Sequence, residues 1–241
     1  MPVRFQNYSR SFLLNGKRVF EPSDLGRRIG YDLKQQIEDV VNFPDFYYHL
    51  RKGGHVAALH SHRPRRFFCK VDLENFFYSI SKSRAVRVIK DIGVGRAVHY
   101  GKWSCVKSPY AEPSYALPYG FVQSPILASL TLHASSLGQF LENLPKSIHA
   151  AVFVDDISLS SDDFATLEEK YNELQDVIGA AGFRVNPAKS VSPCQGLSIF
   201  NCDLKMGSSA VSQGRIDKFH EVERSPASVE GFERYVFSVK A

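Results

Sequence analysis

Apolar side chains recur at every fourth position through residues 23 to 42, and polar or charged side chains fill most positions between them. The recurring residues are Leu25, Ile29, Leu33 and Ile37. This spacing places them on one face of an α-helix. Ser23 follows Pro22, and its hydroxyl oxygen can cap the first free amides of a helix. The pattern therefore predicts an amphipathic helix that Ser23 caps.

Two other regions have the apolar composition of buried strands, and acidic residues accompany both. Residues 67 to 73 form one apolar run, and residues 150 to 160 form two short runs with a polar interruption. The acids are Asp72 in the first region and Asp155 and Asp156 in the second. Because aspartate is common in turns, the second region predicts a hairpin with both acids at its turn.

The remaining pattern mixes helices, strands and loops. It predicts helices at residues 81–91, 124–144 and 162–181, and one or two more in 214–240 with a break at 224–226. Short apolar runs predict a hairpin from Phe46–Leu50 and His55–Leu59, and a strand-like segment at 195–204. Residues 103–118, rich in serine and proline, predict a loop. Together these elements predict an α+β fold.

The composition is that of a globular protein, since 44% of the 241 residues are hydrophobic and 23% are charged. No run of 18 apolar residues occurs, so we expect no membrane span. The first 20 residues lack the apolar core and cleavage site of a signal peptide, which indicates a cytoplasmic protein. The four cysteines form no C-x-x-C pair, and we expect neither a disulfide nor a structural zinc site.

The net charge of +5 is mild, but its distribution is uneven. Residues 46 to 71 contain no acidic residue and six cationic ones: Arg51, Lys52, Arg63, Arg65, Arg66 and Lys70. A solvated basic face would have the same composition. Because the strip lies directly before Asp72, it also fits a surface that binds phosphate groups.

The three aspartates have the chemistry of a divalent metal site. Carboxylates at neighbouring strand ends supply the hard oxygen ligands that Mg²⁺ prefers. Two such ions stabilise both the attacking and the leaving oxygen of a displacement at phosphorus. Considered alone, Asp155 and Asp156 could equally be polar residues of a hairpin turn.

Four segments in order resemble the palm motifs of the reverse transcriptase family. They are DLENFFYSI from Asp72, LPYGFVQSP from Leu117, FVDD from Phe153 and GFRVNPAK from Gly182. The resemblance covers residues 67 to 204 and implies a right-hand polymerase with fingers, an antiparallel palm sheet with helices, and a short thumb. The fingers would occupy residues 1–66 with part of 100–125, the palm 67–204, and a rudimentary thumb 205–241.

The resemblance also implies how the catalytic residues act. Asp72, Asp155 and Asp156 would bind two Mg²⁺ ions, or Mn²⁺, and the Leu73 carbonyl would complete one site. Lys189 would protonate or neutralise the departing pyrophosphate, although a lone surface lysine is the simpler interpretation.

Nucleotide selection is implied at Phe77, five residues after Asp72. A ring at this point would act as a steric gate against a 2′-hydroxyl, but Phe76, Phe77 and Tyr78 could all be core aromatics. The resemblance assigns further nucleotide contacts to Tyr119 and Gly120. Arg63, Arg65 and Arg66 are candidates for triphosphate contacts, because arginine binds phosphate through paired hydrogen bonds. The sequence leaves open which of the three faces the nucleotide. The resemblance assigns primer and template contacts to Gln123, Ser124, Pro125, Phe153, Leu197 and Phe200.

The implied function is an RNA-directed DNA polymerase that extends a DNA or RNA primer with dNTPs on an RNA template. Because 37 residues follow Leu204, a structured non-coding RNA, a partner protein or a second copy of the chain would complete the thumb. Two alternatives remain: a template-independent or protein-primed DNA polymerase on the same palm, and a catalytically vestigial scaffold that binds RNA or a partner polymerase.

Family members often have glutamine where Tyr119 stands. The chain is most similar to bacterial defence-associated, abortive-infection or retron-like reverse transcriptases. The segment LPYGFVQSP departs from the retron pattern and resembles the defence-associated and abortive-infection members. This similarity implies a role in anti-phage defence.

Overall fold

The computed structural model describes residues 6 to 241. In chain order its strands are β1 (Tyr8–Leu14), β2 (Lys17–Pro22), β3 (Phe67–Asp72), β4 (Val106–Lys107), β5 (Tyr115–Ala116), β6 (His149–Phe153), β7 (Asp156–Ser161), β8 (Val191–Cys194), β9 (Gly196–Ile199), β10 (Cys202–Lys205) and β11 (Ser208–Val211). Its helices are α1 (Asp24–Val40), α2 (Gly54–His62), α3 (Lys82–Asp91), α4 (Ala97–Ser104), α5 (Ser124–His133), α6 (Ser136–Glu142), α7 (Phe164–Ala180), α8 (Gln213–His220) and α9 (Pro226–Lys240). Short 3-10 helices occur at Tyr48–Leu50 and Phe77–Ser79.

The chain divides into two compact units by its internal contacts. The first unit comprises the described residues up to Pro44, Leu73–Glu142 and Val177–Arg184. The second comprises Asp45–Asp72, Asn143–Asp176 and Val185–Ala241. The assignment of fingers, palm and thumb to residue ranges stays a prediction, and its first five residues lie outside the described range.

The first unit contains the predicted helix α1, whose cap forms as expected. The Gly26 amide donates to the Ser23 hydroxyl at 3.2 Å, and Leu33 and Ile37 are fully buried. Ahead of it, β1 and β2 form an antiparallel hairpin that the sequence analysis did not predict. Its turn residues Asn15 and Gly16 both have positive φ, which is the requirement of a tight hairpin turn and the reason for the Asn-Gly pair there.

The predicted long helix at residues 124–144 is wrong in one respect, because the chain breaks it into α5 and α6. The break falls at Ala134 and Ser135. The Ser135 hydroxyl accepts a hydrogen bond from the Leu137 amide at 3.2 Å. A serine that bonds a nearby backbone amide favours the start of a new helix over continuation of the old one.

The second unit corrects the hairpin predicted from Phe46–Leu50 and His55–Leu59. The first segment ends in a 3-10 turn, and the second lies within α2. Gly53 and Gly54 both have positive φ and precede the helix body. Ala58, Leu59 and His62 are buried at helical spacing. A short apolar run does not distinguish a strand from a buried helix, and for this reason the prediction of a strand at His55–Leu59 was wrong.

Two antiparallel sheets organise the second unit. The larger has the strand order β6-β7-β3-β8 and contains the predicted acidic hairpin as β6 and β7. The smaller has the order β11-β10-β9, so the strand-like segment 195–204 is confirmed as two strands of a meander. Helices α8 and α9 confirm the prediction for residues 214–240, and Phe219, Phe232 and Val239 join the core beneath the smaller sheet.

None of the helices in the described part of the chain combines the length and the apolar character needed to cross a bilayer.

Candidate active site

Asp72 and Asp156 lie opposite each other in the larger sheet of the second unit. Asp72 is the last residue of β3, Asp156 is the first residue of β7, and the two are register partners across the antiparallel pair. On its other side Asp156 pairs with Phe153 at the end of β6. Asp155 lies in the turn between these strands. The sequence-predicted acids therefore converge on one edge of the sheet, because strand pairing aligns the ends that carry them.

The carboxylate of Asp72 is held by two residues of the motif GFRVNPAK, Asn186 and Lys189. Only 8% of its side chain is exposed. Asn186 Nδ2 donates to Asp72 Oδ1 at 3.0 Å, and Lys189 Nζ lies 3.4 Å from Oδ2. The backbone amide of Asn186 also donates to the backbone carbonyl of Asp72 at 2.8 Å. Two polar side chains and a backbone bond therefore fix this carboxylate.

Charge repulsion is evident at Asp156. Burial, together with the neighbouring charges of Asp155 and Asp72, raises the pKa of its carboxyl to about 6. Lys70 and Lys189 act in the opposite direction but do not cancel the effect. Such an excess of negative charge in a partly buried site is what a bound divalent cation neutralises.

The donor set of this site fits a hard divalent cation. Three carboxylates supply oxygen ligands of the kind that Mg²⁺ and Mn²⁺ prefer. Within residues 6 to 241, no three histidine, cysteine or acidic side chains converge as a ready-made cage. The Asp72 carboxylate is instead bonded to Asn186 and Lys189, so a cation would share or displace those bonds.

The three predicted triphosphate arginines have different surroundings in the second unit. Arg63 donates to the Ser209 hydroxyl and to the Val239 carbonyl. Arg65 forms an ion pair with Asp162 at 2.8 Å. The Arg66 guanidinium lies 5.7 Å from the centre of the Phe67 ring. Arg63 therefore ties α2 to the C-terminal helix, whereas Arg65 and Arg66 lie near the start of β3.

Phe77, Tyr119 and Gly120 come together in the first unit. The Tyr119 ring lies edge-on to Phe77 at 4.8 Å, and Lys17 Nζ lies 4.7 Å from the Tyr119 ring centre. The Phe20 amide donates to the Tyr119 carbonyl at 2.8 Å. Gly120 has φ +99°, and a Cβ there would lie 2.3 Å from the Phe20 carbonyl oxygen. Strand β2 therefore packs directly on the turn that precedes α5, and only glycine fits this approach.

The predicted primer and template residues are distributed between the two units. In the first unit, Gln123 and Ser124 are fully buried at the start of α5, and Gln123 Nε2 donates to the Ser104 hydroxyl at 3.2 Å. In the second unit, Phe153 and Phe200 form an edge-on ring pair at 5.2 Å, and Leu197 lies in the core. Pro125 occupies the first turn of α5, where proline suits a helix.

Three features of the sites were not predicted from the sequence. Asn186 lies within the motif GFRVNPAK, in which only Lys189 was a predicted site residue. Its hydrogen bond to Asp72 is apparent only in the folded chain. The Asn15-Gly16 pair between apolar runs was a hairpin signal that would have located Lys17. His49 lies against the turn that carries Asp155, and nothing in its local sequence indicates this.

Comparison with known proteins identifies the family and the fold of the chain. The family model described as reverse transcriptase (RNA-dependent DNA polymerase) matches residues 14–214. No match was found among curated protein sequences. Similar solved structures include Candida albicans telomerase in complex with a fragment of telomeric RNA, with a TM-score of 0.56, 14% identity, and coverage of 79% of this chain and 39% of that one.

Two structures of a foamy viral protease-reverse transcriptase are also similar. One, in complex with dsDNA, has a TM-score of 0.54, 15% identity, and coverage of 93% of this chain and 41% of that one. The other, also with dsDNA, has a TM-score of 0.52, 15% identity, and coverage of 89% and 32%. The chain thus spans about a third to two fifths of these solved chains, and at such identities the likeness concerns the fold. Since the family model covers most of the sequence, the chain belongs to the reverse transcriptase (RNA-dependent DNA polymerase) family.

Proposed function

We propose that this chain is an RNA-directed DNA polymerase that extends a primer with dNTPs by metal-dependent nucleotidyl transfer. One observation carries the proposal: Asp72 and Asp156 are register partners at the paired ends of β3 and β7, and Asp155 lies in the adjoining turn between β6 and β7. Membership of the reverse transcriptase family supports the same reaction. In that reaction the primer 3′-hydroxyl attacks the α-phosphorus of the dNTP, and pyrophosphate leaves.

The three aspartates would hold two Mg²⁺ ions, or Mn²⁺, with the Leu73 carbonyl as a further ligand. The bound ions would stabilise the negative charge on the attacking and leaving oxygens. The raised pKa of Asp156 supports this assignment, because burial and the neighbouring carboxylates both disfavour its negative charge unless a cation neutralises it.

The protein's own contribution is to hold these ligands in place. Asn186 fixes the orientation of the Asp72 carboxylate. Lys189 Nζ lies 3.4 Å from that carboxylate, and 56% of its side chain is exposed, so it can also meet a departing pyrophosphate. In phosphoryl transfer such positioning and charge neutralisation supply most of the catalysis.

Selection of the sugar is assigned to Phe77. Its side chain is packed edge-on against Tyr119, which restricts the rotation of both rings. A rigid ring of this kind excludes a ribose 2′-hydroxyl more effectively than a mobile one. Tyr119 and Gly120 remain the proposed nucleotide contacts of this unit, and Lys17 above the Tyr119 ring adds a cation that can attract phosphate.

Arg65 and Arg66 remain the proposed phosphate contacts of the second unit. Arg63 has a guanidinium already bonded to Ser209 and Val239, so we assign it to the packing of the C-terminal helix. Primer and template contacts are proposed at Phe153 and Phe200, whose rings form one aromatic pair. In the first unit, the buried Gln123 and Ser124 remain proposed primer and template residues at the start of α5.

The test is primer extension by the purified chain on an RNA template with dNTPs and Mg²⁺. We expect template-dependent products from the unaltered chain and none from Asp72→Asn or Asp155→Asn. Asp203→Asn, an exposed aspartate of β10, is the matched control and should extend normally.

Each alternative predicts a different outcome of the same experiment. Products that form equally well without template indicate a template-independent polymerase. A folded chain that binds RNA but never incorporates nucleotides indicates a scaffold. Full activity of Asp72→Asn would refute the metal-site assignment.

We further propose that the chain belongs to the bacterial defence-associated branch of its family. The supporting observation is the segment LPYGFVQSP, in which Tyr119 stands where glutamine is common. A phage-plating assay with the unaltered gene and the Asp155→Asn variant tests this. Equal plaque numbers with both would argue against an anti-phage role of the polymerase activity.

A further inference from the structure

A partly buried histidine contacts the turn that carries Asp155. The Val154 amide donates to His49 Nδ1 at 3.1 Å, across 105 residues of sequence. Val154 immediately precedes Asp155, so this bond acts on the backbone that directs the acid side chains.

Val154 needs such support because of its backbone conformation. Its φ is +60°, in the left-handed region. Valine has a branched Cβ and is a true outlier there. Conformations of this kind cost free energy and persist only where the surrounding contacts impose them. Glycine would adopt the same turn without cost.

The segment from Phe46 to His49 supplies the surrounding contacts. The Val152 amide donates to the Phe46 carbonyl at 2.7 Å, and Tyr47 forms a parallel bridge with Val152. The His49 ring then packs edge-on against Phe153 at 5.8 Å. These contacts extend from the body of β6 to its turn.

The geometry also determines which ring nitrogen carries the proton. A backbone amide can only donate, so His49 Nδ1 must accept from Val154 with its lone pair. The ring proton then lies on Nε2. Nδ1 is also 3.3 Å from the Val152 carbonyl, but a single nitrogen cannot donate to that carbonyl and accept from Val154 at once. Burial lowers the pKa of His49 to about 4, which keeps the ring neutral as this bond requires.

We propose that His49 is a positioning residue for the catalytic turn: its Nδ1 acceptor holds Val154 at positive φ and so directs Asp155 and Asp156. This inference rests on the proposed function where it concerns turnover. His49 does not touch the reacting atoms in this role, and its effect passes through the backbone of Val154.

The kinetic test compares two substitutions at this position. His49→Leu removes the acceptor, and we expect kcat for dNTP incorporation to fall by about tenfold or more with KM changed less than about threefold, since small misplacements of catalytic groups are costly. His49→Asn restores an acceptor oxygen at the δ position, and we expect kcat within about threefold of the unaltered chain. His60→Leu is the matched control, because His60 contacts the Val239 carbonyl and not the turn.

A measurement independent of activity separates this inference from the proposed function. In the unaltered protein at neutral pH, ¹⁵N NMR should show His49 Nδ1 as an unprotonated ring nitrogen. Hydrogen exchange of the Val154 amide should be about tenfold faster or more in His49→Leu than in the unaltered chain. Both measurements remain valid if the chain shows no polymerase activity.

Several results would overturn the proposal. A protonated Nδ1 in the unaltered protein excludes the bond without any substitution, so the test survives if His49→Leu fails to fold. The proposal is also wrong if hydrogen exchange at Val154 or kcat is unchanged in His49→Leu. It is equally wrong if His49→Asn is as impaired as His49→Leu.

Discussion

Asn186 holds Asp72 through its backbone and its side chain together. Its amide donates to the Asp72 carbonyl at 2.8 Å, and its Nδ2 donates to the carboxylate at 3.0 Å. The two residues are 114 positions apart in sequence. The segment after α7 therefore serves as a clamp on the end of β3, and this clamp can be tested by removing the side chain alone.

We expect Asn186→Ala to lower the free energy of unfolding by about 1–3 kcal/mol, since a hydrogen bond to a charged group is lost. Primer extension should fall by about tenfold because the Asp72 carboxylate is less well oriented. Urea unfolding and steady-state kinetics measure the two effects. Asn172→Ala, on the exposed surface of α7, is the control and should change stability by less than about 0.5 kcal/mol. Normal activity of Asn186→Ala would show that Asp72 needs no clamp.

Removal of one charge from the acidic cluster should stabilise the metal-free protein. Burial and the charges of Asp155 and Asp72 raise the pKa of Asp156 to about 6, so its carboxylate is unfavourable in the folded state near pH 8. We expect Asp156→Asn to raise the free energy of unfolding there by about 1–3 kcal/mol in the presence of EDTA. Asp203→Asn should leave it unchanged. A less stable Asp156→Asn protein would contradict the repulsion inferred at this site.

Substitution of two adjacent phenylalanines should have two different effects, one on sugar selection and one on stability. Phe77→Ala should increase incorporation of rNTPs relative to dNTPs, because it removes the ring assigned to exclude the 2′-hydroxyl. Phe76 is only 1% exposed, and Phe76→Ala should lower the free energy of unfolding by about 3–5 kcal/mol. Competition between rNTP and dNTP and thermal unfolding distinguish the two effects. If Phe76→Ala alone changes sugar selection, the gate is assigned to the wrong residue.

Gly120→Ala should destabilise the first unit through a steric clash. The new Cβ would lie 2.3 Å from the Phe20 carbonyl oxygen, at a φ of +99°. Gly207→Ala is the matched control, since it also has positive φ but has nothing within 4 Å of its Cβ. We expect Gly120→Ala to lose about 2 kcal/mol more than Gly207→Ala, because the control carries only the conformational cost. Equal losses in urea unfolding would show that β2 moves aside.

The second unit should lose stability in mild acid. His62 is buried between the hydroxyls of Ser158 and Ser160, and burial lowers its pKa from 6.5 to about 3. The unfolded chain takes up a proton below pH 6.5, whereas the folded chain does not. The stability that neutral His62 contributes is therefore complete above pH 6.5 and is lost as the pH falls toward 3.

The expected slope is at most about 1.4 kcal/mol per pH unit for each histidine that stays neutral. His149 lies 4.9 Å from His62, and its own pKa is lowered by burial and by Arg65, so it adds to the slope. Urea unfolding at pH 7.5, 6 and 5 should show a smaller slope for His62→Gln than for the unaltered chain. Identical slopes would place the acid sensitivity elsewhere.

The sequence by itself determined the elements whose signals are local. The four-residue period of α1 and its Ser23 cap act within single turns. The two short apolar runs on either side of Asp155 and Asp156 are a local signal as well. Asp72 was located because it ends an apolar run long enough to be a strand. These signals need no distant partner, and so the α+β class and the placement of all three acids at strand ends followed from them.

Only the tertiary structure decided how those elements are held and used. Residues 54–62 form a helix because Ala58, Leu59 and His62 bury one face, a choice that a short apolar run leaves open. Asn186 reaches Asp72 across 114 residues, and His49 reaches Val154 across 105. In neither pair does the sequence around one residue indicate the position of the other. Such hydrogen bonds depend on where distant backbone segments meet, and that is a property of the packed chain alone.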